Sequence, residues 1–309
     1  MTLLWKPLLS GTLPIDPATG EFAWHLIPFP VYASPKEDGY RSMVQRGMLV
    51  SRNGLPVLNR ELQARYSRRE YEGLDGELTA GPPNGVGVFH RTSKIVRKAS
   101  ADASSVRFNV IDLHWDSEGS SGLDLSARVK MMRNTWPKQV DGLCGIPQIL
   151  IKNVEQLKCF EQKCLVQNYE GVMLRRADQG AYPQKPGKEN RSTLREFYLV
   201  RMKRFEQAEA IIVAVHPLEH NLNTERTASG KRSSKKVGMV VDRSRVGSAT
   251  LRDCKTGVEF DTNIGAERLR QWKGWPSAIG RKVRYKYQLC GTVDRPRINS
   301  CCFDELGAK

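Results

Sequence analysis

Between Tyr40 and Leu58 the chain reads YRSMVQRGMLVSRNGLPVL, two short apolar-containing segments joined through Gly47 and followed by Asn53-Gly54. Asn-Gly is a strong tight-turn signal, because both residues tolerate the left-handed backbone that a two-residue turn needs. Strands joined this closely pair antiparallel. The stretch therefore predicts a β meander.

Around it the pattern alternates between strands and a few helices. Leu62 and Tyr66, four apart within residues 59 to 72, predict a helix, and LDGELTA then resumes a strand. A strand is expected over 107 to 115 and a helix around 125 to 135. Val154, Leu157, Phe160, Cys164 and Leu165 recur at helical spacing behind Asn153, a residue type that caps helix N-termini. YEGVMLRR and FYLVRMKRF read as strands, and residues 178 to 196, rich in Gly, Pro and charge, read as a surface loop.

The texture changes near residue 206. From there short strands (EAIIVAV, GMVVDR, GSATLRDC, GVEFDT, KVRYKYQL) alternate with Gly-containing turns, and one short helix, GAERLRQW, falls between the last two. Such a run predicts a small Greek-key barrel. The expected fold class is α+β, with one domain over residues 1–205 and a second over 206–309; two unequal domains also suit a length of 309 residues. Residues 221 to 238 form a polar, basic loop expected to be mobile without a ligand.

Composition narrows the partners. No apolar run approaches the roughly 18 residues a spanning helix needs, so no membrane is expected. Pro7, Pro14 and Asp16 interrupt the apolar patch at the start, which argues against a secretory leader and for a cytoplasmic setting. Seven cysteines without a C-x-x-C pair indicate neither a disulfide framework nor a zinc ribbon, and reduced thiols fit best. Adjacent Cys301 and Cys302 read as packing residues. The formal charge of +16 points to a polyanion, nucleic acid first.

The chemistry begins at SPKEDGYR, residues 34 to 41. A lysine with an ordinary pKa near 10.4 is an uncharged amine roughly once in 2,500 at pH 7. Desolvation or neighbouring cations can lower that pKa by about 3 units and make the amine a nucleophile. Arg41 lies five residues on, and Arg201 with Lys203 form a basic pair in a distant strand. Taken alone, KEDG is a weak signal and reads better as a turn of solvated charges before a strand. Glu77 and Glu170, however, sit beside glycines in apolar strands, where an unpaired carboxylate is costly to bury. An attacking amine, cations for developing phosphate charge and carboxylates for a metal are the minimum parts of phosphoryl transfer.

KEDGYR is followed in order by SRNG, LDGELTAG, FNVIDL, YEGVMLR and YLVRMKRF. In this set the sequence resembles the ATP-dependent polynucleotide ligases of the covalent nucleotidyltransferase superfamily, specifically the compact DNA ligases of phage and bacterial type. The resemblance runs from about Phe29 to Phe303. It implies a nucleotidyltransferase (ATP-grasp-like ligase) domain of antiparallel sheets with flanking helices, followed by an OB-fold β-barrel. It implies that Lys36 attacks the α-phosphorus of ATP and carries AMP, while Asp38 shapes the turn and Arg41 and Arg52 face phosphate. Glu77 is implied to hold the ribose or a metal and Glu170 the metal, Mg²⁺ or alternatively Mn²⁺. Arg201 and Lys203 correspond to two basic residues facing the α-phosphate. Arg295 and Arg297 occupy the place of the C-terminal motif that orients pyrophosphate.

Three positions depart from the family, one of them Arg201, which stands in place of a lysine and keeps the charge but changes the geometry. Ile111 precedes Asp112 where an aromatic that stacks on adenine is usual, and Ser34 stands where many relatives carry a glutamate that reads the adenine amino group. In the basic loop Lys231, Arg232, Lys235 and Lys236 are candidate phosphate contacts, each making binding more salt-sensitive. The resemblance implies a monomer that seals 5′-phosphate/3′-hydroxyl nicks in duplex DNA in a bacterial or phage-infected host cytoplasm, with a role in repair or replication. An RNA ligase or a capping-type guanylyltransferase shares the same lysine chemistry, and a non-catalytic nucleic-acid-binding relative is the reading from outside enzymology.

Overall fold

The computed structural model describes residues 5–114, 122–135, 142–183, 189–225, 232–292, 295–303 and 306. It divides into two compact units, Met1–Lys203 and Arg204–Lys309. In chain order the first unit contains β1 (Gly11–Thr12), β2 (Val31–Pro35), β3 (Tyr40–Gln45), β4 (Met48–Ser51), α1 (Arg60–Tyr66), β5 (Leu74–Ala80) and α2 (Val88–Val96). There follow β6 (Val106–Leu113), α3 (Leu125–Thr135), β7 (Leu143–Gly145), β8 (Ile149–Ile151), α4 (Val154–Val166), β9 (Val172–Arg176) and β10 (Val200–Met202).

These strands form two five-stranded sheets, ordered β1-β10-β9-β2-β8 and β4-β3-β5-β6-β7. All neighbours pair antiparallel except β1 with β10 and β6 with β7. The β3–β4 hairpin turns at Arg46 and Gly47, both left-handed (φ 54° and 66°), the backbone a two-residue hairpin loop requires. Asn59 caps α1: its side-chain oxygen accepts from the Leu62 amide at 3.0 Å, and its Nδ2 donates to the Lys98 and Ala101 carbonyls. Leu62 and Tyr66 are fully buried, and Tyr66 meets Phe108 edge-on at 5.5 Å in a core that covers one face of the β3-β5-β6 sheet. α4 starts at Asn153, whose side chain accepts from the Gln156 amide. It buries Leu157 and Cys164 against β2, β9 and β10, while Val154, Phe160 and Leu165 are only half-buried.

The second unit is one five-stranded antiparallel sheet, ordered β13-β12-β11-β14-β15, from β11 (Glu206–Asn221), β12 (Met239–Asp253), β13 (Glu259–Asn263), β14 (Lys282–Thr292) and β15 (Arg295–Cys301), with α5 (Glu267–Arg270) and α6 (Trp275–Ala278) between β13 and β14. Two segments expected as separate short strands, GMVVDR and GSATLRDC, are one continuous β12. Register shifts between His216 and Leu218 on β11 carry the bend, and Gly247 lets the Leu218 backbone approach where a Cβ would crowd it. Edge strands β13 and β15 meet through Cys301 Sγ and Thr262 Oγ1 at 3.5 Å, with no backbone ladder between them among the described residues, so the sheet curls without closing into a full barrel. Trp275, Phe303, Phe260 and Tyr285 fill its core.

Among the described residues there is no disulfide, and no helix is long and apolar enough to cross a membrane.

Candidate active site

Within the first unit a cavity of about 210 Å³ opens between the two sheets. Its walls come from both. β2 ends at Pro35 and delivers Lys36, whose amide donates to the Gly171 carbonyl at 2.9 Å; β3, β5 and β6 present Arg41, Glu77 and Ile111; β9 and β10 present Met173, Arg175 and Arg201. Of the residues singled out from sequence, Ser34, Lys36, Arg41, Arg52, Glu77, Ile111 and Arg201 all line this one cavity.

Register explains the convergence. Arg41 pairs with Glu77, Glu77 with Asn109 and Asn109 with Cys144, so a single row crosses the sheet from a cation to an uncharged edge. Two glycines allow the close approach. A Cβ at Gly39 would overlap the Leu78 carbonyl, and Gly171, at φ 151°, lies against the Met202 carbonyl where any side chain would collide.

Lys36 Nζ contacts Glu170 Oε2, and Lys203 Nζ contacts Glu170 Oε1. The Glu170 side chain is 3 % exposed and Lys203 7 %, so the carboxylate is buried between two ammonium groups, which offsets its desolvation. Neither Glu170 nor Lys203 lines the cavity itself; both reach it through Lys36 and the strands beside it. Asp38 also stays off the cavity wall, its amide donating to the Pro83 carbonyl at 3.3 Å.

On the opposite wall Arg41 is held by Asp75 through two bonds, Nε to Oδ1 at 2.6 Å and Nη2 to Oδ2 at 2.7 Å. Burial works against the Arg41 charge, and the Asp75 carboxylate more than restores it, so the guanidinium is held above its ordinary range. Burial pushes Glu77 up to about 7 against the pull of Arg41 and Lys36. Arg201 Nε donates to Thr12 Oγ1 at 2.9 Å, which ties β10 to the short β1.

Several residues of the site were given no role from the sequence. Glu37, beside the candidate nucleophile, lines the cavity and accepts from Asn109 Nδ2 at 2.7 Å. Burial raises its carboxyl to about 8, with Asn109 opposing and Glu77 reinforcing the shift. Asp112 sits fully buried between Arg128, at 2.8 Å, and Arg175. Burial alone would raise it, but the two guanidiniums hold it below the ordinary carboxylate range. This clamp fixes the end of β6 next to Ile111, so the aliphatic side chain is presented on a rigid strand. Ile146 and Met173 extend the apolar part of the wall.

A divalent ion fits this donor set in one way. Glu77 and Glu170 flank Lys36, and no group of three His, Cys, Asp or Glu suited to a metal occurs among the described residues. Mg²⁺ ordinarily keeps several waters and takes one or two carboxylates plus substrate phosphates, and Glu77 and Glu170 are the carboxylates here that would hold one.

In the second unit Arg232 Nη1 donates to the Asn221 carbonyl at 2.7 Å and Lys235 pairs with Glu225 at 2.6 Å, while Lys236 is exposed; Lys231 lies outside the described residues. Arg295 and Arg297 lie on β15, opposite Thr292 and Gln288 of β14.

No protein-family model matches the chain, and no curated protein does. Solved structures do. The adenylate of Chlorella virus DNA ligase is 25% identical with a TM-score of 0.53, the match covering 97% of this chain and 100% of that one. A second crystal structure of the same ligase-adenylate gives 26% identity and a TM-score of 0.53 over 96% of each chain. A Lig E DNA ligase, described as binding DNA with a minimal scaffold, is 21% identical with a TM-score of 0.65 over 96% of this chain and 97% of that one. Over nearly its whole length the chain has the fold of the compact ATP-dependent DNA ligases, the family its ordered motifs resemble.

Proposed function

We propose that the protein is an ATP-dependent DNA ligase that adenylylates itself at Lys36 and seals nicks in duplex DNA. The observation that carries this reading is the convergence on one cavity of Lys36, Glu77, Arg41, Arg52 and Arg201, with Glu170 and Lys203 in ion-pair contact behind the lysine. Lys36 Nζ gives up a proton, with Glu170 Oε2 the carboxylate in contact, and attacks the α-phosphorus of ATP. The new N–P bond forms as the bond between the α-phosphorus and the bridging oxygen breaks, and pyrophosphate leaves. An oxygen of the 5′-phosphate at the nick then attacks the AMP phosphorus as the N–P bond breaks and Lys36 leaves as the amine, and the 3′-hydroxyl, giving up its proton, attacks the 5′-phosphate and displaces AMP to form the phosphodiester.

Arg41, Arg52 and Arg201 neutralise phosphate charge as it develops, and Lys203 holds Glu170 in place when Lys36 turns to the nucleotide. Mg²⁺ would be held by Glu77 and Glu170 with the nucleotide phosphates, and when bound it supplies further charge neutralisation. Ser34, Ile111, Ile146 and Met173 form the wall against which the base rests. Asp38 serves the turn rather than the ligand. Residues 206–309 supply the DNA surface, with Arg232, Lys235 and Lys236 on one hairpin and Arg295 and Arg297 on β15 as the contacts of the nick and the pyrophosphate. The protein works as a monomer in a reducing, cytoplasmic setting.

The test is incubation with α-labelled ATP or GTP and Mg²⁺, then a chase with nicked DNA or nicked RNA. Label from ATP, chased into nicked DNA and absent in Lys36→Ala, is the expected result. Label retained by Lys36→Ala removes the nucleophile, absence of label in the wild type favours a binding protein, and transfer to RNA alone or labelling by GTP alone replaces the DNA ligase with an RNA ligase or a capping-type enzyme.

A further inference from the structure

The amino-terminal segment is built into the cavity wall. Leu8, Leu9 and Ser10 line the cavity, although nothing in their sequence marks them for it. The segment is laced down along its length: the Leu9 amide donates to the Asn190 carbonyl at 2.7 Å, Ser192 N to the Leu9 carbonyl at 2.9 Å, Gln45 Nε2 to the Trp5 carbonyl at 2.8 Å and Asn190 Nδ2 to the Lys6 carbonyl at 3.0 Å. The Trp5 ring stacks on His114 at 4.3 Å and meets Tyr182 edge-on at 5.6 Å. Leu9 and Arg52 also line a second cavity of about 340 Å³, so the segment is the partition between the two.

At the centre of this segment a chain of hydrogen bonds runs to a cavity cation. The Leu8 amide donates to Tyr182 Oη at 2.7 Å, and Tyr182 Oη donates to Asp75 Oδ2 at 2.6 Å. Asp75, fully buried, holds Arg41 with both oxygens. The direction of every bond is forced. An amide can only donate and a carboxylate only accept, so the phenol must take from Leu8 and give to Asp75. Burial and the neighbouring Asp75 carboxylate hold the phenol well above its ordinary range, so it keeps that proton across the working pH.

We propose that Tyr182 is a positioning residue that couples docking of the amino-terminal segment to the orientation of Arg41, so that residues 5–13 set the phosphate end of the nucleotide site. This rests on the reading of Arg41 as a phosphate contact. Tyr182→Phe keeps the ring against Trp5 and His114 but deletes the hydroxyl, leaving the Leu8 amide and one lone pair of Asp75 without their partner. Asp75 then loses the bond that fixes its Oδ2, so Arg41 is held by a carboxylate that is itself less fixed, and nucleotide must order the pair on binding.

The experiment combines three measurements on the full chain. In self-adenylylation Tyr182→Phe raises the KM for ATP on the order of tenfold with kcat changed less than about threefold, and it seals a pre-adenylated nick at the wild-type rate. Asn190→Ala, which frees the segment at its other anchor, raises KM in the same direction, and the double variant is less than additive. The Arg41 Nε–H signal in nitrogen-15 NMR of the nucleotide-free protein, dispersed in the wild type, moves to the position of a solvated arginine in Tyr182→Phe. An unchanged Arg41 signal and unchanged KM, with only a lower melting temperature, would overturn the proposal and leave Tyr182 a structural residue. A wild type that takes no label sinks the ligase reading, and the Arg41 signal then decides the coupling alone.

Discussion

Glu37 stands between the candidate nucleophile and Asn109, and its environment makes a claim about pH. Its carboxyl rises from an ordinary 4.5 to about 8 because burial penalises the charge, Asn109 opposing and Glu77 adding to the effect. The folded chain therefore keeps a proton that the unfolded chain has released. Stability is fully present below pH 4.5, falls as pH rises and levels off above about 8. Glu37→Gln, which mimics the neutral acid and can still take the Asn109 bond, is expected to flatten this descent and to gain on the wild type most at pH 8 to 9, read by urea unfolding across pH. An equal slope in both proteins would show that Glu37 is not the group that titrates. At this scale the sequence was most informative where a residue type is rare beside its neighbours: a lysine before a carboxylate-glycine turn, glutamates beside glycines in apolar strands. It assigned no role to Glu37, Asp112, Arg175 and Tyr182, although Asp112 and Arg175 fall within the quoted motifs; their roles come from what burial sets against them, and an isolated charged or phenolic residue is ordinarily a surface group.

Among the elements, α1 depends on one side chain more than on its own propensities. Asn59 supplies the cap and also donates to carbonyls near the end of α2 and the turn after it, so a single buried amide ties two helices together. Asn59→Ala is expected to cost about 2–4 kcal/mol by urea unfolding, and Asn59→Ser, which restores the cap oxygen without the donors, should recover only part. Helix α1, helix α4 and the β3–β4 hairpin were legible because a cap, a 3.6-residue period or a turn dipeptide is a local signal. Helix α2 was not: it follows a Gly- and Pro-rich run, GPPNGVG, and begins at Gly87 in a left-handed conformation, so its start lacks a side-chain cap. The short strands β1, β7 and β8 were equally invisible, since two or three residues carry no period and pair only because a distant strand offers them an edge. The joining of two expected segments into β12 has the same origin, a bulge that tertiary packing tolerates and local propensity reads as a break.

For the molecule as a whole, the chain divides into two compact units, Met1–Lys203 and Arg204–Lys309. What composition could not display is how far apart in sequence the site's partners lie. The Lys36–Glu170 ion pair closes a separation of 134 residues, and Lys203 joins from 33 further on. Contacts of such range form late, because the loop-closure entropy must be met before they contribute. The local helices and hairpin can form early, whereas the lysine acquires its carboxylate only when both sheets of the unit have been laid down. On refolding from denaturant, labelling competence is thus expected to recover more slowly than far-ultraviolet circular dichroism, and simultaneous recovery would show that the site assembles with the helices. If Lys36 charges itself as proposed, this amounts to a quality check without a chaperone: a nascent or damaged chain cannot take up nucleotide until the last strand of the unit, β10, has arrived.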